Sequence, residues 1–287
     1  MTKNIGRSIK TRLLNLAKEE KQEYMKVLVR YLHERLLFRI SASPYKSNSL
    51  LKGSSLLFAL DGFKARPTID IDLLGECISN ERESLKETFE KICNIECEDD
   101  GVTYDATSLE LEPIAVEKKY PGTCVKVVVH LDTIVQQISV DIGFGDVVTP
   151  YPLSLDYPLL LPNVPAVELY AYSLETLIAE KFHAMVDRDE SNSRMKDFFD
   201  VYQLFANHII DRELLSEAIV CTFKNRNTPY RANLMLFSDK FATDTTRNAL
   251  WKAFLKKIRW KERLEFSVVM KCIKENLQEY WSEAILG

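Results

Sequence analysis

The run Thr68-Ile69-Asp70-Ile71-Asp72-Leu73 alternates apolar and acidic side chains with a period of two, which a strand accommodates and a helix does not. Asp70 and Asp72 then project from one face, while Ile69, Ile71 and Leu73 bury the other. Two carboxylates held that close repel unless a cation neutralises them. Oxygen ligands of this kind suit Mg²⁺ or Mn²⁺, which commonly bridge carboxylates and nucleotide phosphates. Taken alone, the pair also fits two solvated strand aspartates.

Upstream, Leu51-Lys52-Gly53-Ser54-Ser55 sits between a short strand and a helix expected over 56–60. Free backbone N–H groups and the dipole at a helix start attract phosphate. Glycine lets the backbone approach an anion closely, and the Ser54 hydroxyl adds a donor. The spacing from Ser54 to Asp70 leaves room for a helix and a returning strand, so a phosphate cradle could face a metal-binding pair. A third carboxylate would serve a two-metal phosphoryl-transfer site. Asp141, a polar interruption in Ile138-Ser139-Val140-Asp141-Ile142, is the first candidate; Asp146, in a Gly-Asp turn, is the second.

The whole pattern predicts an α+β chain. Two helices are expected over 8–41, ended by Ser43-Pro44. Strands are expected near 50–52, 68–74, 125–131 and 137–142, with turns at Asp61-Gly62 and Pro121-Gly122 and a helix over 79–92. The proline-rich stretch 150–165 reads as a linker or an irregular crossing. From Ser173 the chain reads as helical: 174–187, 196–207, 212–223, 245–258 and a last helix near 267–285. This gives a first domain over 1–165 and a helical one over 166–287.

The helical half holds a second constellation, Glu180-Lys181-Phe182-His183 followed by Arg194-Met195-Lys196-Asp197-Phe198-Phe199-Asp200. Ser173 is a fitting N-cap. Lys181 lies near the edge of an apolar stripe, where its ammonium could reach phosphate oxygens; Asp197 and Asp200 are one turn apart on one face. A helix with a solvated charged face gives the same pattern, and His183 reads as a packing or surface residue.

With a formal net charge of −4, the surface as a whole is not built to grip nucleic acid, although a local basic face remains open. Lys252, Lys256, Lys257, Arg259, Lys261 and Arg263, interleaved with Trp251 and Trp260, form one cationic run; Lys3, Arg7, Lys10 and Arg12 form another. The aromatic residues fit a core as well as stacking platforms. Six scattered cysteines with no CxxC pair suit reduced thiols in the cytoplasm. No apolar run is long enough to span a bilayer and no secretory signal is expected.

Together, the Gly53-Ser54 and Asp70-Ile71-Asp72 strings and the Lys181…Lys196-Asp197…Asp200 string resemble the AbiEii/AbiGii nucleotidyltransferase toxins. Thr68 stands where serine is frequent, keeping the hydroxyl. Arg12-Leu13-Leu14, Asp141-Ile142-Gly143 and Thr222-Phe223 add to the likeness. The resemblance implies a polymerase-β-like palm with a helical C-terminal half, and transfer of a nucleoside monophosphate from a nucleoside triphosphate to the 3′ end of tRNA. It implies that Ser54 and Lys181 contact the triphosphate, that Asp70 and Asp72 hold Mg²⁺ (or Mn²⁺), and that Asp200 with Asp197 completes the helical motif. Gly53, Lys196 and Asp197 are expected to join the nucleotide contacts, and Asp141 to be the third metal-binding and catalytic carboxylate. A winged-helix antitoxin encoded nearby is the implied partner. Rival readings are transfer to a protein or small molecule, a glycosyltransferase whose DxD holds a sugar nucleotide, and a silent nucleotide-binding module.

Overall fold

Seven strands form one mixed sheet in the order β3-β4-β5-β2-β1-β7-β6. The structure, a computed structural model, describes residues 5–68, 70–114 and 122–282. Lys3, Ile69, Pro121 and Ile285, which carried expectations above, lie outside the described residues.

Two helices, α1 (Ile5–Glu19) and α2 (Tyr24–Ser41), precede the sheet as expected. Strand β1 (Ser49–Lys52) runs directly into α3 (Gly53–Asp61), so the helix begins at the glycine, three residues before the expected start. Next come β2 (Asp70–Gly75), α4 (Arg82–Cys93), β3 (Val102–Pro113), β4 (Gly122–Leu131) and β5 (Ile134–Phe144). Strand β2 pairs antiparallel with β1 and parallel with β5.

The stretch read as a linker contains a strand, β6 (Leu153–Tyr157), which pairs with β7 (Val167–Ala171). Prolines 152 and 158 flank β6, and β6 is an edge strand; this is the position where proline's missing N–H does least harm to a ladder. Strand β7 returns parallel to β1.

The chain divides into two compact units, Met1–Asp146 with Pro152–Ala171, and Val147–Tyr151 with Tyr172–Gly287. The expected division after residue 165 falls between β6 and β7, both of which belong to the first unit's sheet.

One face of that sheet is apolar: Leu51, Ile71, Leu73, Val125, Val140 and Ile142 are all buried. Removing such side chains from water is the main stabilising term, about 1.5–3 kcal/mol each. Helix α2 is buried nearly all round; of the charges this forces inside, Arg39 and Glu34 find charged or backbone partners, while Arg30 lies over the Phe58 ring, 3.7 Å from its centroid. Arg39 donates to Asp100 Oδ2 at 2.7 Å and to the Val102 carbonyl at 2.9 Å. Glu34 lies 2.7 Å from Arg35 and accepts from the Leu160 N–H at 2.6 Å.

The second unit is helical: α5 (Leu174–Arg188), α6 (Met195–Asn207), α7 (Arg212–Asn225), α8 (Asp239–Thr243), α9 (Thr245–Ile258) and α10 (Phe266–Leu277). The Ser173 hydroxyl accepts from the Thr176 N–H at 3.1 Å, the N-cap expected of it. Phe182, Phe198, Phe199, Phe223, Phe241 and Phe266 fill its core. Trp251 joins them at 1% exposure, with its indole N–H on the Leu264 carbonyl at 2.7 Å. It is a core residue and not a stacking platform. Among the described residues no helix is long and apolar enough to cross a membrane.

Candidate active site

The carboxylates stand on the polar face of the first unit's sheet, and strand register determines which are neighbours. Lys52 on β1 is level with Asp72 on β2, Asp72 with Asp141 on β5, and Asp141 with Cys124 on β4. One row back, Asp70 is level with Ser139. Residues level across neighbouring strands share a face, so Lys52, Asp70, Asp72, Asp141 and Ser139 all present to one side. All five are half-buried.

The Gly53-Ser54 turn does not face Asp72 across a gap; the two are in contact. The Ser54 N–H donates to Asp72 Oδ2 at 3.1 Å, and the Ser54 hydroxyl lies at the same distance from that oxygen. The carboxylate therefore sits on the first turn of α3, where the helix dipole favours negative charge. Gly53 makes room for it. At φ +60°, a Cβ added there would fall 2.2 Å from Asp72 Oδ2, so no other residue fits without displacing the acid.

Hydroxyls hold the rest of this corner. Ser54 Oγ is 2.9 Å from Thr68 Oγ1, which in turn is 3.1 Å from the Asp70 carbonyl and accepts the Asp70 N–H at 3.3 Å. The Ser139 hydroxyl donates to Asp70 Oδ1. Ser139 had no role in the sequence reading. Its signal is the serine two residues before Asp141, but only the β2–β5 register reveals that it faces Asp70.

Asp141 and Asp146, the two candidates for a third carboxylate, separate cleanly. Asp141 stands level with Asp72, whereas Asp146 lies beyond the end of β5 and pairs with Lys52 Nζ at 2.7 Å. Lys52 thereby brings an ammonium to the carboxylate row, a role that the sequence reading did not assign. Burial, with a further push from Asp141, raises the Cys124 thiol to about 12, so it remains protonated and unreactive.

The donor set fits a hard divalent cation, since Asp70 and Asp72 offer carboxylate oxygens from one strand face. Among the described residues no three His, Cys, Asp or Glu side chains come together as a ready-made metal cage.

In the second unit, Lys181 projects from α5 toward α6. Its ammonium donates to Asp200 Oδ2 at 2.7 Å and lies 3.4 Å from Asp197 Oδ1. Arg194 Nε is 2.9 Å from the other Asp197 oxygen. Lys181, Asp197 and Asp200 are all buried, Asp200 to 1% exposure, and Lys196 beside them is exposed. His183 is a packing residue: Nε2 lies 2.7 Å from the Thr228 hydroxyl and Nδ1 3.2 Å from Arg226.

The cationic runs differ in use. Lys10 is 3.0 Å from Asp132, and Arg12 donates to the Pro162 carbonyl. On and after α9, Lys252, Lys256, Lys257, Arg259, Lys261 and Arg263 are exposed.

A search of curated proteins finds no match. Among solved structures, JHP933 from Helicobacter pylori is similar over 87% of this chain and 94% of its own, with 15% identity and a TM-score of 0.44. A candidate nucleotidyltransferase from the same organism is similar over 86% of this chain and 96% of its own, with 16% identity and a TM-score of 0.44. Both likenesses are distant. The family described as nucleotidyl transferase AbiEii toxin of type IV toxin–antitoxin systems matches residues 35–272. A match of that length, taking in every motif residue from Gly53 to Asp200, makes the chain a member of the AbiEii family.

Proposed function

We propose that this chain transfers a nucleoside monophosphate from a nucleoside triphosphate to the 3′ end of tRNA, as the toxin of a type IV pair acting in the cytoplasm. The observation that carries the reading is the corner formed by Asp70, Asp72 and the Ser54 end of α3, in a chain of the AbiEii family. Bound Mg²⁺ (or Mn²⁺) would supply positive charge at the α-phosphate and at the departing pyrophosphate.

Asp70 and Asp72 would hold the metal, each with one oxygen already fixed by a neighbouring serine. The acceptor's hydroxyl oxygen bonds to the α-phosphorus as the bond to the bridging oxygen of pyrophosphate breaks, and the hydroxyl proton passes to a carboxylate. Asp141, level with Asp72, is the residue suited to take it. Gly53 would let a phosphate come close to the start of α3, where the Ser54 amide and hydroxyl already hold Asp72. Lys181, paired with two carboxylates inside its own unit, would exchange one of them for a phosphate oxygen, with Asp200 retaining it. Exposed Lys196 would offer a further cation to phosphate, while Asp197 stays on Lys181 and Arg194. A winged-helix antitoxin is the expected protein partner.

The test is to incubate the protein with each α-labelled nucleoside triphosphate, Mg²⁺ and total cell extract, and then to separate RNA, protein and small molecules. Label at the 3′ end of tRNA is expected. Label confined to protein or to a small molecule would overturn the acceptor while keeping the chemistry, and no labelled fraction at all would overturn the enzyme.

A further inference from the structure

We propose that Thr68 is a positioning residue for the metal-binding pair, acting through Ser54; the inference rests on the nucleotidyltransferase reading above. It follows from counting protons. A hydroxyl carries one hydrogen, yet Ser54 Oγ has two oxygens within reach, Asp72 Oδ2 at 3.1 Å and Thr68 Oγ1 at 2.9 Å. Thr68 Oγ1 likewise has two, Ser54 Oγ and the Asp70 carbonyl at 3.1 Å.

Three arrangements let both hydroxyls donate, but the one in which Ser54 donates to Asp72 and Thr68 to the Asp70 carbonyl leaves two hydroxyl oxygens 2.9 Å apart with no hydrogen between them, which disfavours it and leaves two. In one, Ser54 donates to Thr68 and Thr68 to the Asp70 carbonyl, which turns a lone pair of Ser54 toward a carboxylate oxygen. In the other, Thr68 donates to Ser54 and Ser54 donates to Asp72. The second places a charge-assisted bond where the first places repulsion. It also leaves the Asp70 carbonyl a donor, the Ser55 hydroxyl at 3.3 Å. Thr68 still accepts the Asp70 N–H at 3.3 Å. One hydroxyl therefore couples the backbone of Asp70 to the carboxylate of Asp72. It commits Oδ2 of Asp72 to the start of α3, so that a cation is taken by the other oxygen in a fixed orientation. Ser54 is 5% exposed, which keeps water from replacing Thr68 as its donor.

The experiment measures Mn²⁺ binding by electron paramagnetic resonance in the presence of a non-hydrolysable nucleoside triphosphate analogue, alongside steady-state transfer. Thr68→Val should weaken Mn²⁺ binding about tenfold, the usual cost of losing a residue that orients a metal ligand. It should lower kcat more than it raises the KM for nucleotide, and Thr68→Ser should restore both to within about twofold. Adding Thr68→Val to Ser54→Ala should cause little further loss, because the two act in series. Should Thr68→Val melt early, Thr68→Ala is read in its place. Unchanged Mn²⁺ binding in the valine variant, or losses that add in the double variant, would overturn the proposal and leave the nucleotidyltransferase reading intact. If the wild-type protein bound no Mn²⁺ with the analogue, both would fall.

Discussion

The two charged constellations look alike as sequence, each a basic residue followed by a pair of closely spaced aspartates, yet the fold treats them in opposite ways. On the first unit's sheet, Asp70 and Asp72 stay half-exposed and are oriented by neutral donors, the hydroxyls of Ser139 and Ser54 and an amide at the start of α3. Their charge remains uncompensated by those contacts and can recruit a cation. In the second unit, Asp197 and Asp200 are buried around Lys181, and with Arg194 on Asp197 their two charges meet two cations on the spot. Exposure and the kind of partner, more than residue type, separate a ligand set from an internal ion pair.

The contrast can be broken most sharply at Asp72. Asp72→Ala should lower transfer by at least about a hundredfold while costing about 1 kcal/mol of stability through loss of its bonds at the start of α3. Labelled transfer assays beside thermal melts read both quantities, and a large drop in melting temperature would mean the carboxylate is structural. Lys181→Met should do the reverse. Stripping the ammonium from two buried carboxylates should cost about 3–5 kcal/mol in urea unfolding, and a cost below about 1 kcal/mol would contradict the neutralising role.

Glu34 is the first unit's buried counterpart, and it sharpens the point. Burial outweighs the pull of Arg35 and the Leu160 amide and raises its carboxyl to about 7. The folded state then holds the proton more tightly than the unfolded chain. Stability from this group is complete below the unfolded value near 4.5 and declines as pH rises through about 7, by about 3 kcal/mol. Glu34→Gln should flatten that decline in unfolding curves taken across the window. Gly53→Ala should cost about 1–2 kcal/mol through its positive φ. By pushing Asp72 aside it should also lower transfer about tenfold, a combination that ordinary loop glycines do not show. Lys196→Ala, adjacent to the buried trio but exposed, should shift stability by no more than about 0.5 kcal/mol.

Local signals carried much of this into the sequence. The period-two alternation at 70–73 became β2, the Gly-Ser turn marked a helix start, and Ser173 caps α5. What stayed hidden depends on partners distant in the chain. Register alone reveals that Ser139 faces Asp70 and that Lys52 lies level with Asp72. The stripe on α5 put Lys181 at its edge, but whether that edge meets water or α6 is a matter of helix packing. Strand β6 was masked by its flanking prolines, which forbid a helix yet tolerate a sheet edge. Trp251 carries the composition of a nucleic-acid platform and the burial of a core residue.

The connectivity has a practical corollary for anyone dividing this gene. The polypeptide leaves the first unit after Asp146, contributes Val147–Tyr151 to the second, returns for Pro152–Ala171 and departs again. The Thr149 carbonyl accepts from both the Ser173 and Thr176 hydroxyls, at 2.9 and 2.7 Å. A fragment begun at Tyr172 would thus lose its clasp on the start of α5, and one stopped at residue 165 would strip β1 of its parallel neighbour. Folded halves would need the five residues Val147–Tyr151 grafted ahead of the second piece, and not a single scissile point.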